Sequence, residues 1–272
     1  MTNLLQALQL AKRDRFNAQK SGDTSAARAQ RTIAWLGGTT SVARVTEARL
    51  RALVLAMRAS GLGPASVNRH LSALRVALKS AGQDSTAMPW QKEPRGRTRW
   101  LSPAEVNLLA SACVIQPNGL AVGLLVRFLG ETGLRVGEAL ALQWADVDLL
   151  QRPHVIVRTS KNGDSRWVPL TNEAVQVLRV QKDLSAPFRL SQSRVNHIFR
   201  AARDSMDWSR GNSEIVPHTL RHTAASRLVQ AGVSLPVVQA WLGHRDFRST
   251  LRYTHVDQDG LAAAARMLEN RQ

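Results

Sequence analysis

Residues 154–170 read HVIVRTSKNGDSRWVPL, and here the repeat of apolar side chains changes from that of a helix to that of a strand. Residues 154–158 and 166–170 are predicted as short antiparallel strands. Asn162-Gly163 between them is the hairpin signal, because a two-residue turn needs backbone conformations that asparagine and glycine tolerate. Lys161 stands immediately before that turn, at the predicted tip. On both sides the pattern is helical. Downstream, helices are predicted over 171–180, 191–203, 218–230 and 235–242. Upstream, Ser102, Pro103 and Glu105 open a helix with a cap, a first-turn proline and an acidic first turn. An apolar stretch at 120–129 then runs into ETGLRVGEALALQW at 131–144. Residues 100–272 therefore read as a mixed α/β, mostly helical domain with a small antiparallel sheet inserted.

The segment before it is helical throughout. Over 64–82, Val67, Leu71, Leu74 and Leu78 recur at the spacing of one helix face, with Arg75 and Lys79 one turn apart on another. Leu4, Leu8 and Ala11 start a similar pattern, and residues 48–57 another. Residues 1–83 are predicted as a small all-helical domain. Between the two, QDSTAMPWQKEPRGRTRW at 83–100 has two prolines, a glycine and no apolar period. Residues 84–99 read as a basic linker whose cations are Lys92, Arg95, Arg97 and Arg99; it suits a phosphate backbone or a merely solvated tether equally. The fold class is mainly α.

At 272 residues and 44% hydrophobic, the chain can bury sizeable cores, and its length suggests two domains or one large one. Its 37 Lys and Arg against 20 Asp and Glu leave a formal net charge of +17. Such an excess points to a polyphosphate partner, since each neutralised phosphate releases counterions. Ribosomes and anionic lipids also attract basic surfaces, so charge alone does not select DNA. The single cysteine, Cys113, excludes an internal disulfide and is expected to pack in the apolar run LLASACVI. Without a charged-then-apolar leader or a bilayer-length apolar run, a membrane role is disfavoured and the cytoplasm is the expected compartment.

The chain also has a single tyrosine, Tyr253, in LGHRDFRSTLRYTHV at 242–256. On its own it fits a buried ring with a satisfied hydroxyl. Among cations it also fits a nucleophile, because a phenol with a pKa of about 10 attacks phosphorus at neutral pH only where charge is stabilised and its proton removed. Arg135 lies in TGLRVGEAL, where Gly133 can turn the chain and Glu138, one helical turn on, can hold the guanidinium. Arg221 lies in PHTLRH with His218 one turn before it, so the two are expected to share a helix face. Two arginines converging on one phosphate offer planar charged forks to its oxygens; separately, each also fits a structural ion pair. His218 and His222 are four apart, but TLR between them lacks the glutamate of the zinc protease motif, and His222 reads as structural. His244 follows Gly243 at a predicted helix end and reads as a cap or surface residue when taken alone.

In order, TGLR-x-x-E, a lysine on a hairpin, H-x-L-R, LGH and a tyrosine nine residues later resemble the tyrosine recombinases, which include phage integrases and chromosome-dimer resolvases. No single element decides this; the combined order and spacing do. The resemblance covers most of the chain, with 1–83 as a helical core-binding domain and 100–272 as the catalytic domain. It implies that Tyr253 attacks the scissile phosphate and that Arg135 and Arg221 hold it. It makes Lys161 the general acid for the leaving 5′ oxygen, His218 and His244 phosphate ligands and proton handlers, and Glu138 the support of the site. Arg69, Arg75 and Lys79 of the 64–82 helix, with Lys92, Arg95, Arg97 and Arg99, are the expected DNA contacts. Asp164 departs from the pattern by placing an acid in the hairpin loop.

The resemblance further implies cleavage and rejoining through a 3′-phosphotyrosyl intermediate, with no cofactor, ATP or metal. It implies double-stranded DNA with inverted-repeat core sites as the partner, a homotetramer formed on DNA, and nucleoid association when bound. No further domain is expected before the core-binding one, which implies simple core sites or accessory proteins. The tail from Gly260, with LAAAARML, is expected to form a C-terminal helix exchanged with the neighbouring subunit, with docking on its own domain as the alternative. Two alternatives stay open: a type IB-like topoisomerase with the same covalent chemistry, and a non-catalytic DNA-binding regulator.

Overall fold

The computed structural model describes residues 2–19, 21–83, 87–93, 99–158, 165–208, 214–244, 246–251 and 253. Lys161, Asp164 and the expected Asn162-Gly163 turn lie outside these residues, as do Arg95, Arg97 and the expected exchange helix. The chain divides into two compact units, Met1–Gly96 and Arg97–Gln272.

The first unit has four α-helices among its described residues: α1 (Leu4–Ala11), α2 (Gly22–Leu36), α3 (Glu47–Ala59) and α4 (Pro64–Ser80). Asn3 and Gln6 close a reciprocal cap on α1, each side chain accepting from the other's backbone N–H at 2.9 Å. Pro64 sits in the first turn of α4, where a missing N–H leaves no bond broken. Val67, Leu71, Leu74 and Leu78 are fully buried, as their spacing requires, and α4 packs on α1 and α2. Helix α2 has no counterpart among the sequence expectations. It buries Ala26, Ala29, Ile33 and Leu36, and two alanines make a weak apolar stripe.

The start of the basic stretch packs on this unit. Met88 is buried in its core, and Asn68 on α4 exchanges two hydrogen bonds of 2.8 Å with the backbone of Gln91. A third, from Asn68 Nδ2, reaches Glu93 at 2.7 Å. The unit boundary falls inside the 84–99 stretch, after Gly96.

The second unit contains α5 (Pro103–Ile115), α6 (Leu120–Thr132), α7 (Val136–Leu140), β1 (Val147–Asp148), β2 (His154–Arg158), β3 (Ser165–Pro169), α8 (Asn172–Val180), α9 (Gln192–Asp204), α10 (Pro217–Gln230), α11 (Leu235–Leu242) and α12 (Arg248–Leu251). Ser102 and Glu105 form the cap that opens α5. Helix α6 is the axis of the core: Leu125, Val126, Phe128 and Leu129 are buried, and α5, α8 and α10 pack around it. Phe128 meets Phe188 with ring centroids 5.1 Å apart. Cys113 is fully buried, and burial pushes its thiol up to about 12.

The three strands pair antiparallel in the order β1-β2-β3. The register sets Val155 against Val168 and Val157 against Arg166. Val155, Val157 and Val168 are buried while Trp167 is exposed, the alternation a one-sided sheet needs. Strand β3 starts and ends one residue before the expected 166–170. Strand β1 has two residues, too few to show any period. Among the described residues no helix is long and apolar enough to cross a membrane.

Phe128 anchors the core of the second unit alone. Replacing it with alanine should cost about 3–5 kcal/mol. Urea unfolding of the full chain should show an earlier transition for the second unit.

Candidate active site

Helix ends build the site. Gly133 closes α6 in the left-handed conformation, φ 66°. A Cβ there would come within 2.9 Å of Leu242 and 3.1 Å of Ala224, so only glycine lets α10 and α11 close on this turn. Two residues on, Arg135 caps α7 and Glu138 occupies its first turn. The Arg135 backbone N–H donates to Glu138 Oε2 at 2.9 Å, and its guanidinium donates to Oε1 at 2.6 Å. Glu138 therefore holds Arg135, as the spacing predicts.

Two further guanidiniums surround that carboxylate. Arg166, from β3, donates to Glu138 Oε1 at 3.1 Å and Oε2 at 2.7 Å, a two-pronged geometry, while its Nε donates to the Trp241 carbonyl at 3.0 Å. Arg221, from α10, is only 1% exposed. Its Nη1 donates to the Gly133 carbonyl at 3.0 Å and its Nη2 to the Leu242 carbonyl at 2.6 Å. Nη1 also lies 3.9 Å from Glu138 Oε2. Burial alone would raise the Glu138 carboxyl, but the hydrogen bonds and charges of Arg166 and Arg135 hold it at about 2. Burial, with the charge of Arg135, lowers Arg221 to about 10, which leaves it protonated at neutral pH.

The phenol lies beside this cluster. Tyr253 is buried with Ala225, Val238 and Leu242. Its hydroxyl oxygen is 2.5 Å from His222 Nδ1. The His244 ring lies nearly parallel to it, at 11° and 6.4 Å between centroids. Gly243 ends α11 with φ 66°, and a Cβ there would meet the Arg166 guanidinium at 3.0 Å. His244 thus leaves the helix where the sequence predicts, with its backbone N–H on Gln239 at 3.1 Å and Nδ1 2.9 Å from Thr250 Oγ1. His218 and Arg221, expected on one face, differ in depth: His218 is exposed and Arg221 buried. The His218 ring stands edge-on to His222 with centroids 4.7 Å apart.

The structure therefore gathers Arg135, Glu138, Arg221, His218, His244 and Tyr253. It also adds two side chains to them. His222, read as structural, faces the phenol. Arg166 carried a usable signal, since it shares with Val168 the inward parity of β3, where a cation requires a partner. Among the described residues no three His, Cys, Asp or Glu cluster as metal ligands. Of the expected DNA contacts, Arg69, Arg75, Lys79 and Lys92 are exposed. Arg99 differs: its side chain is 10% exposed, pairs with Glu105 at 3.3 Å and lies 5.3 Å from the Trp208 ring centroid.

A helical unit followed by a helical unit with a small sheet and this arginine, histidine and tyrosine cluster defines a site-specific tyrosine recombinase. The phage integrase family model matches residues 99–259. The tyrosine recombinase XerC of Xanthomonas campestris pv. campestris (strain B100) is 31% identical over 255 residues, covering 85% of this chain and 76% of that protein. XerA of Thermococcus kodakarensis is 30% identical over 224 residues, 76% of this chain and 77% of that one. The solved structure of the Tn1549 transposon integrase in complex with circular intermediate DNA shares the fold at a TM-score of 0.77, with 20% identity over 98% of this chain and all of that one. The chain belongs to the phage integrase family.

Glu138 sets an acid limit on the site. Its folded value of about 2 lies below the unfolded 4.5, so its contribution to stability is full above pH 4.5 and is lost as pH falls towards 2. Arg166→Met should raise the folded value, cost on the order of 3 kcal/mol at neutral pH and move the acid-unfolding midpoint upward. Circular dichroism across an acid titration of both chains checks this.

Proposed function

We propose that Tyr253 cleaves one strand of duplex DNA by attacking the scissile phosphorus, leaving a 3′-phosphotyrosyl link and a free 5′-hydroxyl. The observation that carries this is the chain's only phenol, held against an imidazole beside the buried Arg221 guanidinium. Arg135 and Arg221 stabilise the charge that gathers on the equatorial oxygens, and Glu138 keeps Arg135 in place. Lys161 protonates the leaving 5′ oxygen, a step typically worth ~10²–10⁴-fold. His218 and His244 bind the phosphate and handle protons. One diester is exchanged for another, so the covalent link keeps the bond energy that rejoining uses. Neither ATP nor a metal takes part.

The partner in this reading is double-stranded DNA with inverted-repeat core sites, bound by a homotetramer. The recombinase names of the relatives and the DNA in the solved Tn1549 integrase complex support the DNA partner. So does the net charge of +17. The first unit, 1–83 with its continuation through Glu93, is the core-binding domain, and Arg69, Arg75 and Lys79 on α4 with Lys92 beyond it supply exposed cations for phosphates. The chain acts in the cytoplasm, on the nucleoid when bound.

Tyr253→Phe should bind target DNA as the native chain does and form no covalent complex on a suicide substrate. Covalent capture by this variant, read on a denaturing gel, would assign the attack to another residue.

Lys161→Ala should cleave an ordinary substrate ~10²-fold or more slowly. It should regain speed when the leaving 5′ oxygen is replaced by sulfur, whose thiolate departs without a proton. Equal slowing on both substrates would leave Lys161 as a phosphate contact only.

A further inference from the structure

We propose that His222 is the base that takes the phenolic proton of Tyr253, a role that rests on the covalent reading above. An attacking phenol must lose its proton, and a buried one cannot pass it directly to bulk water. Tyr253 is 6% exposed. His222 Nδ1, a nitrogen that accepts whenever the ring carries its proton on Nε2, lies 2.5 Å from the Tyr253 hydroxyl oxygen. Two of the nearby groups suit the task less. Arg221 has no acceptor atom and gives its donors to the Gly133 and Leu242 carbonyls. His244 has Nδ1 2.9 Å from Thr250 Oγ1 and lies nearly parallel to the phenol ring.

Position in the fold adds a second argument. His222 follows Arg221 directly on α10, and the Arg221 guanidinium bridges the ends of α6 and α11. The base is therefore carried by the same helix as the proposed phosphate-binding cation. His222 is half-buried, and the exposed ring of His218 stands edge-on against it at 4.7 Å.

The step balances as follows. The Tyr253 hydroxyl passes its proton to His222 Nδ1 while an oxygen lone pair forms the bond to phosphorus. The bond from phosphorus to the 5′ oxygen breaks, its electron pair leaves on that oxygen, and the general acid supplies the proton there. In rejoining, the 5′-hydroxyl returns its proton to the deprotonated general acid as its oxygen attacks the phosphotyrosyl phosphorus, the bond from phosphorus to the phenolic oxygen breaks, and protonated His222 returns its proton to the departing phenolate.

The presence of only one tyrosine makes a decisive test available. The probe is a nicked suicide duplex bearing the sequence that the full-length Tyr253→Phe chain selects from random DNA. His222→Asn keeps a polar atom near the position of Nδ1 but cannot take up a proton. It should bind the duplex normally and form covalent complex at least ~10²-fold more slowly. Biosynthetic replacement of tyrosine by 3,5-difluorotyrosine acidifies Tyr253 alone, and should restore most of the lost rate to His222→Asn while changing the native chain little.

Covalent capture at the native rate by His222→Asn overturns the inference. So does a slow His222→Asn that the acidified phenol does not rescue, since that marks a positioning contact. His222→Gln provides the same comparison if the asparagine variant fails to bind DNA. A native chain that captures no DNA, or a Tyr253→Phe chain that does, strikes instead at the covalent reading.

Discussion

The active site is organised around one carboxylate. Glu138 is mostly enclosed, and an isolated carboxylate at such depth would be costly. Arg135 and Arg166 hydrogen-bond it, and Arg221 lies at 3.9 Å. These cations come from the start of α7, from β3 and from α10. A single negative charge thus draws together elements far apart in the chain, and it balances only part of the positive charge around it. A phosphodiester is the kind of group that can complete such a balance.

That constraint also explains the use of helix ends. Arg221 satisfies the carbonyls of Gly133 and Leu242, where α6 and α11 terminate. Carbonyls at helix C-termini lack partners within the helix and sit at its negative pole. One guanidinium therefore closes two helices and is held rigidly in return. The left-handed glycines at 133 and 243 bring those two ends close enough for the bridge.

Much of this was legible in the sequence, for reasons specific to each element. Val67, Leu71, Leu74 and Leu78 revealed α4 because large apolar residues mark a buried face clearly. The cap of α5 and the ends of β2 and α11 were equally plain, since caps and changes of period are local signals. Helix α2 was not, because its stripe is half alanine. Glu138 as the partner of Arg135 could be read because the two are three residues apart. Arg166 and Glu138 are 28 residues apart, and no local spacing rule joins them. His222 read as structural because its partner, Tyr253, lies 31 residues away. Contacts fixed by the closing of α10 and the turn after α11 on one another leave only residue parity and composition as clues.

The anchoring of Arg221 bears on how such a chain can decay. Tyr253 contributes a ring to a small satellite cluster, and its loss would remove the proposed nucleophile while most of the packing stays. Arg221, the proposed ligand for phosphate, is also the bolt of two helices. A lineage released from selection for strand exchange can shed its nucleophile and keep its fold, whereas shedding this guanidinium unsettles the scaffold. Inactive descendants should accordingly be missing the tyrosine more often than the arginine.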